Sequence, residues 1–151
     1  MNFTKVLALI VILLGVASIV VGGVFVQQSV SKNNFLIEAM QQEQITLGIE
    51  TDALEEGEII DNASEAEIAG DIVREHRHSI SPTYGELLGG EQYDPTNLKQ
   101  LTYAQALNLE NYLYLAVLGF GVTQLALGAG AFMIITGAAL AISGTVLYRR
   151  Y

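Results

Sequence analysis

The sequence lacks cysteine and tryptophan altogether, and it has only two prolines and seven basic residues among 151. Without cysteine, disulfides, thiolate metal sites and lipid attachment to a cysteine side chain are excluded. Charge is also absent from two long apolar runs, residues 6–26 and 113–148. Such uncharged runs predict transmembrane helices, because about 20 apolar residues suffice to cross the hydrocarbon core.

The charged residues that remain are sorted along the chain. All 16 acidic residues lie between Glu38 and Glu110, whereas Lys5, Arg149 and Arg150 lie at the outer ends of the apolar runs. Basic residues that flank a span are retained on the cytoplasmic side of the membrane. This asymmetry predicts a protein of the cell membrane whose N-terminus and C-terminus are both cytoplasmic.

The segment between the spans is strongly acidic, with 16 acidic and four basic residues in 27–112, a net charge of −12. A surface of this sign repels nucleic acid and anionic lipid headgroups, so we expect neither as a partner. The predicted organisation is a cytoplasmic tail at 1–5, a transmembrane helix at 6–26, an acidic extracytoplasmic region at 27–112, a long helix containing the second transmembrane span at 113–148, and a cytoplasmic tail at 149–151.

Each apolar run has an alternative interpretation. The first resembles a signal peptide, but its 21 residues exceed the roughly 7–15 of a typical hydrophobic region, which favours an uncleaved anchor. The second run has 36 residues, which as a helix would extend about 54 Å against about 30 Å of hydrocarbon. Two short spans joined at residues 128–130 would need a turn without polar residues. We therefore favour one long helix whose first turns rise above the membrane.

Small residues recur at every seventh position in both runs. The first series is Ala8, Gly15, Gly22 and Ser29, and the second is Ala116, Thr123, Gly130, Gly137 and Gly144. Helices in lipid associate by close packing, so a small-residue stripe with this period marks where two backbones meet. Matched head to tail, the two series pair Ala8 with Gly144, Gly15 with Gly137, Gly22 with Gly130, and Ser29 with Thr123. The alternative is that glycine is simply frequent in membrane helices.

Further small residues of the long helix lie off this stripe and predict a second smooth surface. They are Gly119, Gly121, Gly128 and Ala141. A surface of this kind allows another helix to approach closely. We take Gly121 and Gly128 as the candidate surface for a partner, which would be another membrane protein subunit or a second copy of the chain.

Outside the membrane, both helices are expected to continue as antiparallel arms. The first should end near Leu47–Gly48, and the second can begin at Asp94–Pro95, an N-cap followed by a proline at the first helical position. The predicted fold is thus an all-α membrane protein, a two-span antiparallel helical hairpin that extends above the membrane and carries a small, mainly helical extracytoplasmic cap.

Within the cap, the acidic residues 49–61 predict an extended chain or loop. A capping box at 64–67 predicts a helix to about His78, with Ile68, Ile72 and Val73 on one face. A short turn at 83–88, preceded by Ser81–Pro82, is ended by two glycines.

The cap contains two candidate cation sites. His76 and His78 are the only histidines, but at this spacing they diverge on a helix, and His76 is expected to face the packed side. A calcium loop counted from Asp52 has Leu54 and Ala63 where ligands are needed. We therefore predict no metal site, no cofactor and no catalytic residues. The absence of ionisable residues from the spans argues against an ion pathway through this chain.

Three short motifs give a resemblance to a known family: Thr83-Tyr84-Gly85-Glu86-Leu87, residues 118–122 and residues 127–130. Over about residues 60–145 the chain resembles small two-span bacterial membrane proteins, which have a Thr-Tyr-Ala-Glu-Leu-like motif and a glycine-rich second span. That family is uncharacterised and supplies no functional residues. Some members are labelled as aromatic ring-opening dioxygenases, an activity that the two histidines here are poorly placed to support.

Two classes of function fit these observations. The first is a non-enzymatic structural or accessory subunit that docks onto a larger membrane complex. The alternative is an extracytoplasmic sensor, or a ligand- or metal-binding module, anchored by two helices. A sensor needs a cytoplasmic output domain, for which the two predicted tails are too short, so we favour the accessory subunit.

Overall fold

The computed structural model describes residues 3–46 and 57–150, which are almost entirely helical. The helices are α1 (Phe3–Glu43), α2 (Ala63–Ile80), α3 (Tyr84–Leu88) and α4 (Leu98–Arg150). Between α1 and α2, Thr46 and Ile59 form an isolated antiparallel bridge. Both α1 and α4 are long and apolar enough to cross a membrane. This confirms the helical class and the two long apolar helices predicted from the sequence.

The long helix α4 runs without interruption from Leu98 to Arg150. The alternative of two short spans joined at residues 128–130 is therefore wrong. A turn at that position would expose backbone amides and carbonyls in an apolar segment, whereas a continuous helix satisfies them internally.

The chain divides into two compact units. The first, the paired-helix unit, combines the part of α1 up to Asn34 with the part of α4 from Val122 onward. The second, the cap unit, comprises Phe35–Gly121 and thus contains α2 and α3 with the adjoining parts of the two long helices. Inside the paired-helix unit the two helices run antiparallel, since early residues of α1 contact late residues of α4.

The cap unit has a core of its own. Its largest fully buried apolar side chains are Met40, Ile60 and Leu113. Small residues let α2 lie close to this core, and they occupy positions three to four residues apart: Ala66, Ala69, Gly70 and Val73. Gly70 has no space to spare, because a Cβ atom there would lie 3.1 Å from the ring of Tyr114.

The packed face of α2 differs from the predicted one. Ile68 and Ile72 are only partly buried at its edge, and only Val73 of the predicted set is buried. The prediction weighted large apolar residues, but the close approach of α2 to the core selects small residues instead.

Three helix ends also differ from prediction. The first residue of α2 is preceded by Asn62, whose side chain accepts a hydrogen bond from the Glu65 amide, so the N-cap lies two residues before the predicted Ser64. The Glu65 carboxylate in turn accepts from the Asp61 amide at 3.1 Å. The N-terminus of α2 is therefore capped by an asparagine and the first of the two glutamates, in a variant of the capping box in which the glutamate accepts from the amide before the N-cap.

At the start of α4, Asp94 forms a turn instead of a cap, because its carboxylate accepts hydrogen bonds from the amide and hydroxyl of Thr96. These bonds lower the pKa of the Asp94 carboxyl below its usual value. Asn97 caps the helix by accepting from the Lys99 amide at 3.1 Å, so α4 begins at Leu98. The predicted start at Asp94–Pro95 is wrong by one turn.

The end of α1 is earlier than expected. The helix ends at Glu43, and Gln44 follows with a positive φ of 49°. A left-handed residue at this point stops the helical hydrogen-bond pattern and leads into the bridge at Thr46. The predicted end at Leu47–Gly48, together with most of the acidic segment 49–61, lies outside the described residues.

Candidate functional site

The paired-helix unit is built on backbone contact between glycines. A Cβ atom on Gly15 would lie 2.6 Å from the carbonyl oxygen of Gly137, and one on Gly137 would lie 2.6 Å from the carbonyl oxygen of Gly15. These distances are far below a van der Waals contact, so no side chain fits at either position without separating the helices. Glycine is needed here for close approach and not for an unusual backbone angle.

The same register continues in both directions from this pair. Gly22 lies against Gly130, where the added Cβ atoms would be 2.7 and 2.8 Å from the opposite carbonyl oxygens. Towards the chain ends, a Cβ on Gly144 would be 3.0 Å from the carbonyl oxygen of Ala8. The structure thus brings together the residues that the two heptads pair in the sequence.

Polar contacts reinforce the helix pair at several levels. The Ser29 hydroxyl donates to the carbonyl oxygen of Thr123 at 2.6 Å, and the Ser18 hydroxyl donates to that of Met133 at 2.8 Å. Ser18 is outside the heptad and was not predicted from the sequence. Contact between glycines has no directional preference, whereas these two hydrogen bonds fix the position of one helix relative to the other.

The predicted second smooth surface is smaller than the sequence indicated. Gly119 lies against Leu36, since a Cβ there would be 2.9 Å from its Cδ1, and Ala141 lies against Gly15. Residues three or four apart on a helix share a face. Gly119 therefore shares the packed face of Ala116, and Ala141 shares the packed face of Gly137. Only Gly121 and Gly128 remain open, with nothing within 4 Å of a Cβ at either position.

The cap unit is held by a buried ion pair that the sequence analysis missed. Arg77 of α2 donates two hydrogen bonds to Glu110 of α4, from Nε to Oε2 at 2.6 Å and from a terminal nitrogen to Oε1 at 3.2 Å. Arg77 is 8% exposed and Glu110 is 7% exposed. The hydrogen bonds that Arg77 donates to Glu110 raise the pKa of the Arg77 guanidinium above its usual value.

Aromatic rings surround this ion pair. The Arg77 guanidinium also donates to the hydroxyl of the buried Tyr103, and its carbon lies 5.0 Å from the centroid of that ring. The Tyr84 ring of α3 lies 6.1 Å from the ring of Tyr103. A bidentate arginine of this kind fixes α2 against α4 in one orientation, and the contact between the two tyrosine rings joins α3 to α4.

Helical spacing explains why Arg77 and not His76 is buried. Arg77 follows Val73 by four residues and therefore shares its packed face, whereas His76 is exposed. The prediction that His76 faces the packed side is wrong, because it was counted from the half-buried Ile72. His78 is also exposed, and its Nε2 lies 3.1 Å from a terminal nitrogen of Arg77. The sequence signal that could have indicated the burial of Arg77 is its position four residues after Val73, an apolar residue of the predicted packed face.

A second polar contact joins α2 to α4 nearer the surface. The Tyr114 hydroxyl donates to the Asp71 carboxylate at 2.6 Å, and Arg74 lies 3.0 Å from the same carboxylate. Partial burial, followed by the hydrogen bond to Asp71, raises the pKa of Tyr114 to about 12. The Tyr114 hydroxyl therefore stays protonated, and able to donate, to a higher pH than an ordinary tyrosine.

The cap unit also contains an apolar pocket of about 280 Å³ between its portions of α1 and α4. It is lined by Phe35, Leu36, Ala39, Met40, Tyr112, Leu115 and Ala116. Phe35 and Leu115 are largely exposed at its edge. The pocket can accept an aliphatic group but offers no polar group to orient a reaction.

A metal site in a protein needs several ligand side chains close together. Residues 3–46 and 57–150 contain no group of three histidine or carboxylate side chains close enough to share an ion. The first five positions of the calcium loop counted from Asp52, residues 52–56, lie outside these ranges.

Comparison with known proteins adds no relative. The chain matches no protein-family model, no curated protein and no solved structure. The resemblance to small two-span bacterial membrane proteins therefore stays a prediction.

Proposed function

We propose that this protein is a non-enzymatic, two-span membrane protein that serves as an accessory subunit of a larger membrane complex. In this proposal α1 and α4 cross the membrane as an antiparallel hairpin, both termini are cytoplasmic, and the acidic cap unit is extracytoplasmic. The uncharged apolar runs and the placement of Lys5, Arg149 and Arg150 support this topology.

The observation that carries the proposal is the open face of α4. Gly128 has open space around it, and large apolar side chains on the same helix are mostly exposed, including Leu125 at 77% and Ile135 at 70%. A glycine between protruding apolar residues forms a notch into which another helix can pack. Gly121 is equally open one heptad earlier.

Substitution of the two open glycines tests the proposal. Gly121→Leu together with Gly128→Leu should release a co-purifying membrane protein in mild detergent while the chain keeps its helical circular dichroism spectrum. Gly23→Leu is the matched control, because Gly23 is also an open glycine but lies on α1. If the double variant keeps its partner as well as the control does, this face of α4 is not the docking surface.

A second candidate function is supported by the apolar pocket of the cap unit. A sensor or binding module needs a ligand cavity, and about 280 Å³ is close to the lower end of cavities that take small ligands. Under this alternative, Ala39→Trp should fill the pocket and abolish binding of an aliphatic probe. Under the accessory-subunit proposal, the same change should leave partner binding intact.

The non-enzymatic part of the proposal is tested at the two histidines. His76→Ala combined with His78→Ala should leave partner binding unchanged and should remove no stoichiometric metal. One tightly bound transition metal per chain, lost in this double variant, would favour a metal-binding cap instead.

A further inference from the structure

The paired-helix unit contains a pocket of about 180 Å³ at the level where the apolar part of α1 gives way to polar residues. Three carboxamides line it, those of Asn33, Asn34 and Gln124, together with the apolar side chains of Val30 and Leu127. The lining contains no charged side chain. This pocket combines carboxamides with apolar side chains, and its lining differs from both the glycine contacts and the open face of α4.

The hydrogen-bonding groups of this pocket are only partly used by the protein itself. The Ser29 hydroxyl donates to the Thr123 carbonyl, and the Asn33 side-chain oxygen accepts from the Thr123 hydroxyl at 3.3 Å. Among the described residues, none hydrogen-bonds to the carboxamides of Asn34 or Gln124. Each of these carboxamides presents two N–H donors to whatever enters the pocket.

The polar and apolar groups that line the pocket lie at different levels along the two helix axes. Leu127 lies about one helical turn from Gln124 in the direction of Gly130, the next glycine of the stripe. On α1, Val30 is about one turn from Asn34 in the direction of Gly22. Both apolar side chains thus lie on the side of the glycine pairs, and the carboxamides lie on the opposite side.

From this arrangement we propose that the pocket binds one zwitterionic glycerophospholipid. The carboxamides of Asn34 and Gln124 donate to the phosphate and ester-carbonyl oxygens, and Val30 and Leu127 contact the first methylene groups of the acyl chains. The uncharged lining selects a headgroup whose net charge is zero, because nothing in it compensates a net negative charge. This inference rests on the proposed membrane location of the hairpin.

Native mass spectrometry of the full chain tests the site. The protein is reconstituted into phosphatidylethanolamine vesicles, extracted in mild detergent and examined for retained lipid. We expect one lipid per chain, and a retained fraction about tenfold lower for Gln124→Leu, which removes hydrogen bonds to a charged group. Gln28→Leu is the matched control, since Gln28 is an exposed glutamine on a neighbouring level that does not line the pocket. It should retain lipid as the unmodified chain does.

Two further arms identify the ligand class. Phosphatidylglycerol vesicles should give at least fivefold less retained lipid, and soluble glycerophosphoethanolamine should not bind, because it lacks the acyl chains that contact Val30 and Leu127. Equal retention of the anionic lipid, binding of the soluble headgroup, or equal retention by Gln124→Leu and Gln28→Leu would overturn the proposal. The partner-release experiment at Gly121 and Gly128 does not involve this pocket. A chain that passes that experiment but retains no lipid refutes the lipid site alone.

Discussion

The two units of the molecule hold their helices together by opposite means. In the paired-helix unit, glycines let backbones touch, and the Cβ of Gly15 would lie only 2.6 Å from an oxygen of Gly137. In the cap unit, a bidentate ion pair between Arg77 and Glu110 is buried against aromatic rings. In the proposed topology the paired-helix unit lies in lipid, which gives helices no hydrophobic reason to associate, so close packing must supply the attraction. The cap unit in that proposal lies in water, where it can bury apolar surface and use polar contacts for orientation.

The largest expected effect is the loss of the buried ion pair. Arg77→Met leaves the Glu110 carboxylate buried without its partner and should lower the free energy of unfolding by about 3–5 kcal/mol. Denaturant unfolding followed by circular dichroism measures the change, and hydrogen exchange should locate the loosening in α2. The surface pair provides a matched control, because the side chains of Arg74 and Asp71 are 47% and 51% exposed. Arg74→Met should lower the free energy by no more than about 1 kcal/mol.

The double variant Arg77→Met with Glu110→Leu sharpens this prediction. Removing both charges leaves no unpaired buried ion, so most of the lost stability should return. A double variant as unstable as Arg77→Met would show that packing around the guanidinium, and not its charge, holds the cap unit.

The next largest effect is expected in the paired-helix unit. Gly137→Leu forces a side chain against the Gly15 backbone and should lower the free energy of unfolding by about 1–3 kcal/mol, as overpacking usually does. Hydrogen exchange should rise in the α1 segment opposite Gly137 and stay unchanged in α2. Gly128→Leu is the control, since a side chain at that position meets open space. Equal thermal stability of the two leucine variants would show that the register is wrong.

Tyr114 offers a smaller effect with a defined pH dependence. Tyr114→Phe removes the hydrogen bond to Asp71 and should lower the free energy of unfolding by about 1 kcal/mol. Because the folded pKa is raised to about 12, above the value of about 10 for an unfolded chain, this contribution is present below pH 10 and lost as pH rises towards 12. Tyrosinate absorbance measured in both proteins reports the late-titrating ring. A Tyr114 ring that ionises at the ordinary tyrosine value of about 10 would contradict the hydrogen bond to Asp71.

The smallest effect is expected at Ser29. Ser29→Ala removes the donor to the Thr123 carbonyl, but that carbonyl keeps its hydrogen bond within α4. Interhelical hydrogen bonds in membrane proteins contribute about 0.6 kcal/mol on average. Thermal unfolding in detergent should therefore show a small decrease, well below that of Gly137→Leu. A loss of stability in Ser29→Ala larger than that in Gly137→Leu would show that polar contacts, and not glycine packing, hold the two helices together.

Sequence reasoning works best in the paired-helix unit. Uncharged apolar runs of this length predict long helices, because a chain that crosses a bilayer must satisfy its backbone hydrogen bonds internally. The heptads predict that Gly15 meets Gly137, because few residues other than glycine allow two backbones to touch. Ala141 and Gly119 were misplaced for a related reason. A seven-residue count ignores their neighbours at i+3 and i+4, which share the same face.

The cap unit was harder to predict because its organisation depends on contacts between distant residues. Nothing local in α2 shows that Arg77 meets Glu110, which is 33 residues away. The choice between Asn62 and Ser64 as the N-cap was similarly underdetermined, since both side chains can cap and both are followed by glutamate three residues later. Tertiary packing of α2 decides between them.

The central claim is that α1 and α4 form a transmembrane hairpin with both termini on the cytoplasmic side. Because the chain has no native cysteine, a single introduced cysteine reports its own accessibility. Glu91→Cys, at an exposed position of the cap unit, should react with a membrane-impermeant maleimide in intact cells. Arg150→Cys should react only after the membrane is permeabilised. Labelling of Arg150→Cys but not Glu91→Cys in intact cells would contradict the orientation, and equal labelling of both would contradict the hairpin itself.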